Sequence, residues 1–352
     1  MRYIYVLIQK EMKIFTKIAA TALAVASCAV ASAQDGTAAY NFLKTTPSAH
    51  AYALGGNNIT VIDDDINLVE QNPALMGPEV DKQVGFNYMR YLGGSNFMGL
   101  RYGMGINDRS AWAASVQYYG YGSFHGYDPS GTYEGNFSAS DVAFSGTYTH
   151  DISEYWRGGI TAKFIYSKYE IYSAFAVGVD LGINYYNPDK EFSFSFVAKN
   201  LGGQIKKFAD TRDALPWDIQ LGISKQIGRS PFRVSLTLNN LRKWKLPYLQ
   251  PEDKNVTTSA LVMKDSFGTN LLRHIVIGLE FLPSDKIWVA LAYNYKTRTD
   301  MSAYQRNLLS GFSAGAGLKV KAFGFGIAYA QPHSGASTFM VNITSTLGEL
   351  LR

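Results

Sequence analysis

The side chains that could carry out catalysis or bind a metal are few and lie far apart along this 352-residue chain. The histidines are His50, His125, His150, His274 and His333. A metal site needs several ligands at short, regular spacing, and none of these histidines has a second one four residues away. We therefore expect a protein that is not an enzyme and that needs no metal or cofactor.

Two further patterns are candidates for ligand chemistry, and both are better explained as turns. Asp63-Asp64-Asp65 is the densest acidic run, and hard cations favour carboxylate ligands, but the run lacks the spacing of an EF-hand loop. We expect a turn or helix cap with solvated carboxylates there. Gly55-Gly56 has no following lysine and serine or threonine of a phosphate loop, so we expect close packing and a tight turn.

The first 33 residues follow the plan of a secretory signal peptide. Lys13 and Lys17 precede an apolar stretch at 18–30, and Ala31-Ser32-Ala33 matches a cleavage site. Met12 is an alternative start. The alternative processing, lipidation at Cys28, is less well placed than the cleavage site, so residues 1–33 are predicted to be removed together with the only cysteine.

Composition separates this chain from ordinary soluble proteins and from helical membrane proteins. Only 17% of the residues are charged, although about 25% is usual, and 14% are aromatic. The mean hydropathy is nevertheless close to zero, at -0.09. The net charge of +5 falls to +2 without residues 1–33, which gives no indication of nucleic-acid binding.

Apolar and polar residues alternate with a period of two in segment after segment. Between residues 156 and 167, Trp156 and Phe164 fall on one face of a strand, whereas Arg157 and Lys163 fall on the other. In an outer-membrane barrel the apolar face contacts lipid and the polar face lines the lumen. We expect the lumen-facing residues, such as His274 and Glu280, to form a solvated wall.

About fourteen such segments follow residue 81, and their connections alternate in length. The predicted strands are 83–91, 97–106, 111–120, 140–150, 156–167, 171–186, 191–199, 217–226, 232–241, 273–282, 286–296, 311–320, 322–330 and 338–346. Short turns alternate with long loops at 121–139, 200–216, 242–272 and 297–310, as in outer-membrane barrels. The sequence thus predicts an all-β fold, a transmembrane antiparallel β-barrel over 81–352, with a plug at 34–80. A secreted soluble sandwich is the alternative.

The long loops contain residues suited to contacts outside the membrane. Lys206-Lys207 and Arg242 to Lys245 are basic, which fits either solvation or attraction to anionic lipopolysaccharide or an acidic partner. The aromatic and apolar candidates for docking a partner are Tyr121, Phe124, Tyr127, Tyr133, Trp244, Tyr248 and Leu249. Packing of these loops over the barrel mouth explains the same residues equally well.

Residues 36–75 carry a resemblance to a known family. They contain A-L-G-G at 53–56, D-D-D-x-N at 63–67 and N-P-A-L at 72–75. This arrangement resembles the N-terminal hatch of barrels related to FadL fatty-acid transporters, and more closely that of the PorQ family of type IX secretion. The resemblance implies a fourteen-stranded barrel whose N-terminal segment occupies the lumen. The plug residues that it implies are Leu54, Gly55, Gly56, Asp63, Asp64, Asp65, Asn72 and Pro73.

The resemblance also implies a location and partners. It implies an integral protein of the cell outer membrane that anchors the surface protein PorZ in an attachment complex with PorU and PorV, near outer-membrane lipid and lipopolysaccharide. Proteolysis in that complex belongs to PorU, so the implied role is anchoring. The alternative from the same resemblance is a FadL-like channel for hydrophobic small molecules.

Overall fold

Antiparallel strands form a closed barrel around the N-terminal segment in the computed structural model of this chain. The structure describes residues 40–127, 130–208, 212–252, 260–300, 309–333 and 336–350. The predicted signal peptide at 1–33 and its alternatives at Met12 and Cys28 lie outside the described residues.

Fourteen strands of the described part of the chain make up the barrel, and each pairs with the next barrel strand along the chain, the last with the first. Their bounds are β1 Gln83–Arg90, β2 Asn96–Asn107, β3 Ser110–Tyr127, β4 Tyr133–Asp151, β5 Trp156–Tyr169, β6 Tyr172–Asn187, β7 Phe192–Lys206, β8 Asp218–Gln226, β9 Phe232–Leu238, β12 Ile275–Ser284, β13 Ile287–Asn294, β14 Phe312–Val320, β15 Phe323–His333 and β16 Ala336–Thr346. Two more strands, β10 Tyr248–Pro251 and β11 Leu261–Lys264, form a separate hairpin between β9 and β12. The register of β1 with β16 runs from Gln83 opposite Thr346 to Arg90 opposite Phe339 and closes the barrel.

The predicted strand count and the predicted faces are confirmed. On β5, Trp156, Ile160 and Phe164 are exposed on the outside, whereas Thr161 and Lys163 are buried inside. Because a strand turns alternate side chains to opposite faces, the apolar band surrounds the barrel and the polar residues point into the lumen.

The prediction that 121–139 forms a loop is wrong. β3 continues to Tyr127 and β4 begins at Tyr133, so the two strands form a hairpin that extends past the rest of the barrel. The strict alternation of burial ends at this point, because residues 122–125 are all exposed. β3 has 18 residues, or about 59 Å at about 3.3 Å per residue. Even at a tilt of about 45° it rises further than an apolar band of about 25 Å.

Residues 40–80 fill the interior of the barrel with short helical elements and turns. The helix α1 is Ala49–Ala53, and 3-10 turns occupy Asn41–Lys44, Ile66–Leu68, Pro73–Leu75 and Pro78–Val80. Apolar plug residues such as Phe42, Leu54 and Leu68 are buried against inward-facing wall residues such as Phe97 and Ile165. The hydrophobic core of this protein therefore lies inside the barrel, between plug and wall.

The remaining helices lie at the ends of strands. They are α2 Phe267–His274, α3 Tyr295–Asp300 and α4 Leu347–Leu350. None of the helices in the described ranges is long and apolar enough to cross a membrane.

Candidate functional site at the plug and the barrel wall

The helix α1 brings a histidine to the wall. Ser48 caps its N-terminus, since the Ser48 hydroxyl accepts a hydrogen bond from the Ala51 amide at 3.2 Å. Asn342 on β16 contacts the segment just before this helix, where the Asn342 side-chain amide nitrogen donates to the Pro47 carbonyl at 2.8 Å. These contacts fix α1 against the wall, with the His50 side chain only 2% exposed.

His50 contacts a buried carboxylate of the wall. Its Nε2 lies 2.6 Å from Oε1 of Glu280 on β12, a residue with no exposed surface. Arg233, which is opposite Glu280 in the register of β9 and β12, binds the same carboxylate with both Nε at 2.7 Å and Nη2 at 2.8 Å. Because the guanidinium matches the carboxylate in this bidentate way, Glu280 is held in one orientation toward the plug.

The other side of His50 faces the acidic run. Its Nδ1 lies 3.4 Å from Oδ2 of Asp63, and Asp63 also forms an ion pair with Lys319 of β14. The imidazole stacks on Trp288 with ring centroids 4.1 Å apart and planes 5° apart. We call His50, Asp63, Arg233, Glu280 and Lys319 the His50 network.

The network changes the titration of its two plug residues. Burial lowers the pKa of His50, but the carboxylates of Glu280 and Asp63 outweigh burial and raise that pKa from 6.5 to about 9. Burial opposes ionisation of Asp63, but His50 and Lys319 outweigh it and hold the pKa of Asp63 well below its usual range. His50 is therefore a cation and Asp63 an anion at neutral pH, so plug and wall attract each other.

A second buried ion pair joins the plug to β2. Arg101 is 1% exposed, and its Nε and Nη2 donate to the two carboxylate oxygens of Glu70 at 3.0 and 3.3 Å. Its Nη1 donates to Asn67 at 3.1 Å and to Asn87 at 2.7 Å. A third ion pair connects Arg157 of β5 with Glu79 at 2.6 Å. The plug is thus tied to three separate regions of the wall.

The N-P-A-L segment packs directly on wall glycines. Asn72 caps the turn Pro73–Leu75 by accepting from the Ala74 amide at 2.9 Å, and it donates to Ser195 of β7 at 3.1 Å. A Cβ at Gly182 would lie 2.0 Å from Asn72 Oδ1, and one at Gly159 would lie 2.6 Å from the Pro73 carbonyl carbon. Only glycine leaves room for this turn on β5 and β6.

The turn after α1 uses glycine for both conformation and space. Gly55 and Gly56 have φ values of 88° and 83°, a region that residues with a side chain seldom adopt. A Cβ on Gly55 would lie 2.3 Å from Val276, while Leu54 packs where a Cβ on Gly278 would be. Leu54-Gly55-Gly56 therefore forms a tight turn that packs closely on the wall.

Carboxylates and wall residues that were predicted to be solvated are in part buried. Asp65 caps the turn Ile66–Leu68, accepting from Asn67 at 2.9 Å, and Asp64 is exposed, as expected. The prediction of a solvated Asp63 is wrong, because this carboxylate is enclosed by His50 and Lys319. The prediction of a solvated wall at His274 and Glu280 is also wrong, since neither side chain has exposed surface.

The structure adds site residues that sequence reasoning missed, namely Glu70, Arg101, Arg233, Trp288 and Lys319. Each charged wall residue among them lies on the inward face of its strand. An inward charge is costly without a partner, so the charges at inward positions were the available signal for buried ion pairs. The identity of the partner required the fold.

The predicted docking residues occupy different environments. Phe124, Tyr127 and Tyr133 are exposed on the β3–β4 hairpin, and Leu249 is exposed on β10. Tyr121 points inward instead and donates to Asp141 at 2.6 Å. Trp244 packs on Phe267 and His274, with ring centroids 5.2 and 5.0 Å away, and Tyr248 lies beneath Arg273 at 5.0 Å.

One serine matches the pattern of a hydrolase nucleophile without its geometry. Residues 311–315 read G-F-S-A-G, which in α/β-hydrolases forms a sharp turn from strand to helix. Here Ser313 lies within β14, is buried, and donates its hydroxyl to the Ala53 carbonyl at 2.8 Å. It binds the plug to the wall. Within the described ranges, no three histidine, cysteine, aspartate or glutamate side chains are grouped to hold a metal ion.

The fold of this chain is similar to that of several solved structures. A Pseudomonas aeruginosa FadL homologue superposes with a TM-score of 0.50 at 12% identity, over 86% of this chain and 98% of the homologue. The Pseudomonas putida toluene transporter TodX gives 0.50 at 10% identity, over 85% and 97% of the two chains. The monoaromatic hydrocarbon channel CymD gives 0.51 at 12% identity, over 88% and 99%.

The chain has the fold of the FadL-type β-barrels. At these identities the likeness establishes the fold alone, and the expectation of a FadL-like barrel fold is confirmed. No protein-family model and no curated protein sequence matches the chain.

Proposed function

We propose that this protein is a non-enzymatic outer-membrane anchor, which holds a surface protein at the long-loop end of a plugged barrel. The observation that carries the proposal is the combination of two features. The plug is tied to the wall by buried ion pairs, and apolar side chains stand exposed on hairpins beyond the barrel.

The first feature favours a static support. Separating His50 or Glu70 from its wall partner would leave a charge buried without a counter-charge, at a cost of about 3–5 kcal/mol. The wall glycines that receive Asn72 and Pro73 hold the plug by shape as well. A plug fastened at several separate points is suited to stiffening a barrel.

The second feature supplies a surface for a protein partner. Tyr127 and Tyr133 are 62% and 52% exposed and pack edge to face, 5.9 Å apart. Met263 of β11 and Phe267, which follows the β10–β11 hairpin, are 68% and 71% exposed. Rigid aromatic and apolar side chains of this kind are common at the centre of protein interfaces.

The resemblance of residues 36–75 to the PorQ family suggests which protein this partner is. The partner would be a PorZ-like surface protein, within a type IX attachment complex that includes PorU and PorV. Outer-membrane lipid surrounds the apolar band, and lipopolysaccharide would surround the projecting hairpins.

A second candidate function is a channel for hydrophobic small molecules. It is favoured by the solved structures of the same fold, two of which are described as a toluene transporter and a monoaromatic hydrocarbon channel. A cavity of about 350 Å³ between the plug and the wall, lined in part by Tyr52, Phe312 and Ala330, would be the binding place.

The experiment that separates the two functions is a purification of the tagged full-length protein from its native membrane in a mild detergent. A double variant, Tyr127→Ser with Tyr133→Ser, is compared with Ile227→Ser, which changes an exposed residue in a short turn at the opposite end. Anchoring predicts a stoichiometric surface protein with the native chain and with I227S, and its loss from the double variant. A barrel that is isolated alone, and whose thermal midpoint rises with toluene or dodecanoate, would contradict anchoring and favour the channel.

A further inference from the structure

A polar cavity of about 350 Å³ opens toward the long-loop end of the barrel. It lies between the plug, the middle of β7, the start of β8, the residues that follow β9, the end of β13 and the helix α3. Its lining includes amide side chains from the plug and three strands, such as Asn57, Asn200, Asn239 and Asn294. Amides and charged groups recognise hydrophilic molecules, so this cavity is of a different kind from a hydrocarbon site.

The charge of the lining is positive. Its basic residues are Lys44, Lys199, Arg242, Lys243 and Lys296, and its acidic residues are Asp218 and Asp300. Asp300 is already bound by Arg273 at 2.5 Å and by Lys296 at 2.9 Å. The excess of cations within an enclosed space attracts an anion.

Lys199 identifies the position of that anion. Its side chain is 8% exposed, and within the part of the chain that the structure describes its ammonium has neither a hydrogen bond nor an ion pair. Asp218 is opposite Lys199 in the register of β7 and β8, yet no ion pair joins them. By contrast, the neighbouring Lys163 pairs with Asp180 at 2.6 Å. A buried ammonium without a counter-charge is costly, and an anionic ligand would remove the cost.

Two buried acceptors next to Lys199 are also unsatisfied. Among the residues that the structure describes, Oδ1 of Asp218 and Oε1 of Gln220 have no hydrogen-bond partner, although Oδ2 of Asp218 accepts from Asn240 and Gln220. Both residues line the cavity. Acceptors of this kind are satisfied by hydroxyl donors, which are abundant on sugars.

We propose that this cavity binds a sugar phosphate, with the phosphate on Lys199 and the sugar hydroxyls on Asp218 and Gln220. The inference is independent of the anchoring function, since it rests on the cavity alone. The phosphate is either that of a free sugar phosphate or that of a phosphorylated sugar linked to a lipid, since both present the same groups.

The test measures the thermal midpoint of the full-length protein in nanodiscs with three added probes: inorganic phosphate, glucose 6-phosphate and glucose. A parallel series compares nanodiscs with and without lipopolysaccharide. The variants are Lys199→Met and Gln220→Met, and the control is Lys286→Met, an exposed lysine in a short turn at the other end of the barrel. Because Lys199 has no partner to lose, K199M should fold with an unliganded midpoint at least as high as that of the native protein.

The expected result is a rise in midpoint with glucose 6-phosphate that exceeds the rise with glucose. Affinity should fall at least tenfold in K199M and remain unchanged in K286M, and Q220M should weaken glucose 6-phosphate more than inorganic phosphate. A rise caused by lipopolysaccharide alone, and lost in K199M, would also support the site and assign it to the lipid-linked source. Equal responses in K199M and the native protein, an equal response to glucose and glucose 6-phosphate, or no response to the phosphate probes and to lipopolysaccharide alike would overturn the proposal.

Discussion

At the residue scale, the decisive feature is that wall charges and plug charges neutralise each other inside the barrel. Glu280 receives Arg233 from a neighbouring strand and His50 from the plug, within 2.6 to 2.8 Å. A charge buried in such a place is costly unless it has a partner. Two predictions follow from this arrangement.

Replacing Glu280 by glutamine should destabilise the protein strongly. The change leaves Arg233 and His50 buried without their carboxylate, and a broken buried pair costs about 3–5 kcal/mol. Chemical unfolding in detergent, followed by tryptophan fluorescence, measures the loss. Glu154→Gln, in an exposed short turn, is the matched control and should change stability by no more than about 0.5 kcal/mol. An effect of E280Q as small as that of the control would contradict the role of Glu280.

Stability should depend on pH through the two titrating plug residues. The pKa of His50 is about 9 in the folded protein and 6.5 in the unfolded chain, so its contribution is complete below pH 6.5 and is lost as the pH rises through 9. The pKa of Asp63 is lowered, so its contribution is present above its ordinary pKa and is lost only in strong acid. The thermal midpoint should therefore fall between pH 6.5 and 9. His50→Gln should flatten this dependence, and an equally steep fall in that variant would assign it to other groups.

At the scale of the elements, the plug and the strands fit each other by shape. The lumen-facing glycines lie where plug turns approach most closely, as Gly159 and Gly182 do beneath Asn72 and Pro73. The plug turn and the strand positions beneath it are thus parts of one packing unit, although they are about a hundred residues apart in the chain.

Gly182→Ala should therefore loosen the plug. The new Cβ would meet Asn72 Oδ1 at 2.0 Å, and overpacking of this kind costs about 1–3 kcal/mol. Limited proteolysis of the folded protein should cut within 57–76 sooner than in the native chain. Gly146→Ala is the control, since a Cβ there meets nothing within 4 Å. Unchanged proteolysis of G182A would show that the turn can move without loss.

At the scale of the whole molecule, the closed barrel, its plug and its projecting hairpin have different roles. The barrel presents an apolar band on its outside, the plug fills its lumen, and the β3–β4 hairpin extends past the mouth. Because the plug core packs against inward-facing wall residues such as Phe97, Ile165 and Met340, we expect the native protein to carry little ion current.

Conductance in planar bilayers checks this expectation. The native protein should show no steady current, whereas the double variant Glu70→Gln with Glu280→Gln should show openings, because two of the buried ion pairs that hold the plug are absent. Glu154→Gln should behave as the native protein. Steady conductance by the native protein would contradict a plugged lumen.

The sequence by itself determined the fold class, the fourteen strands and the face that each strand turns to lipid. These are local properties, because consecutive residues such as Trp156 and Arg157 point to opposite faces of a strand. The tight turn at Gly55-Gly56 and the caps at Asp65 and Asn72 were also predictable, since each acts within a few residues.

Only the tertiary structure decided which inward residues meet. His50 and Glu280 are 230 positions apart, and Asp63 and Lys319 are 256 apart, so barrel closure and plug insertion had to bring them together. The same holds for Lys199, whose lack of a partner is visible only when every neighbouring strand is in place. Periodicity assigns a charge to the lumen, but its partner depends on strand register and on the path of the plug, and neither is encoded locally.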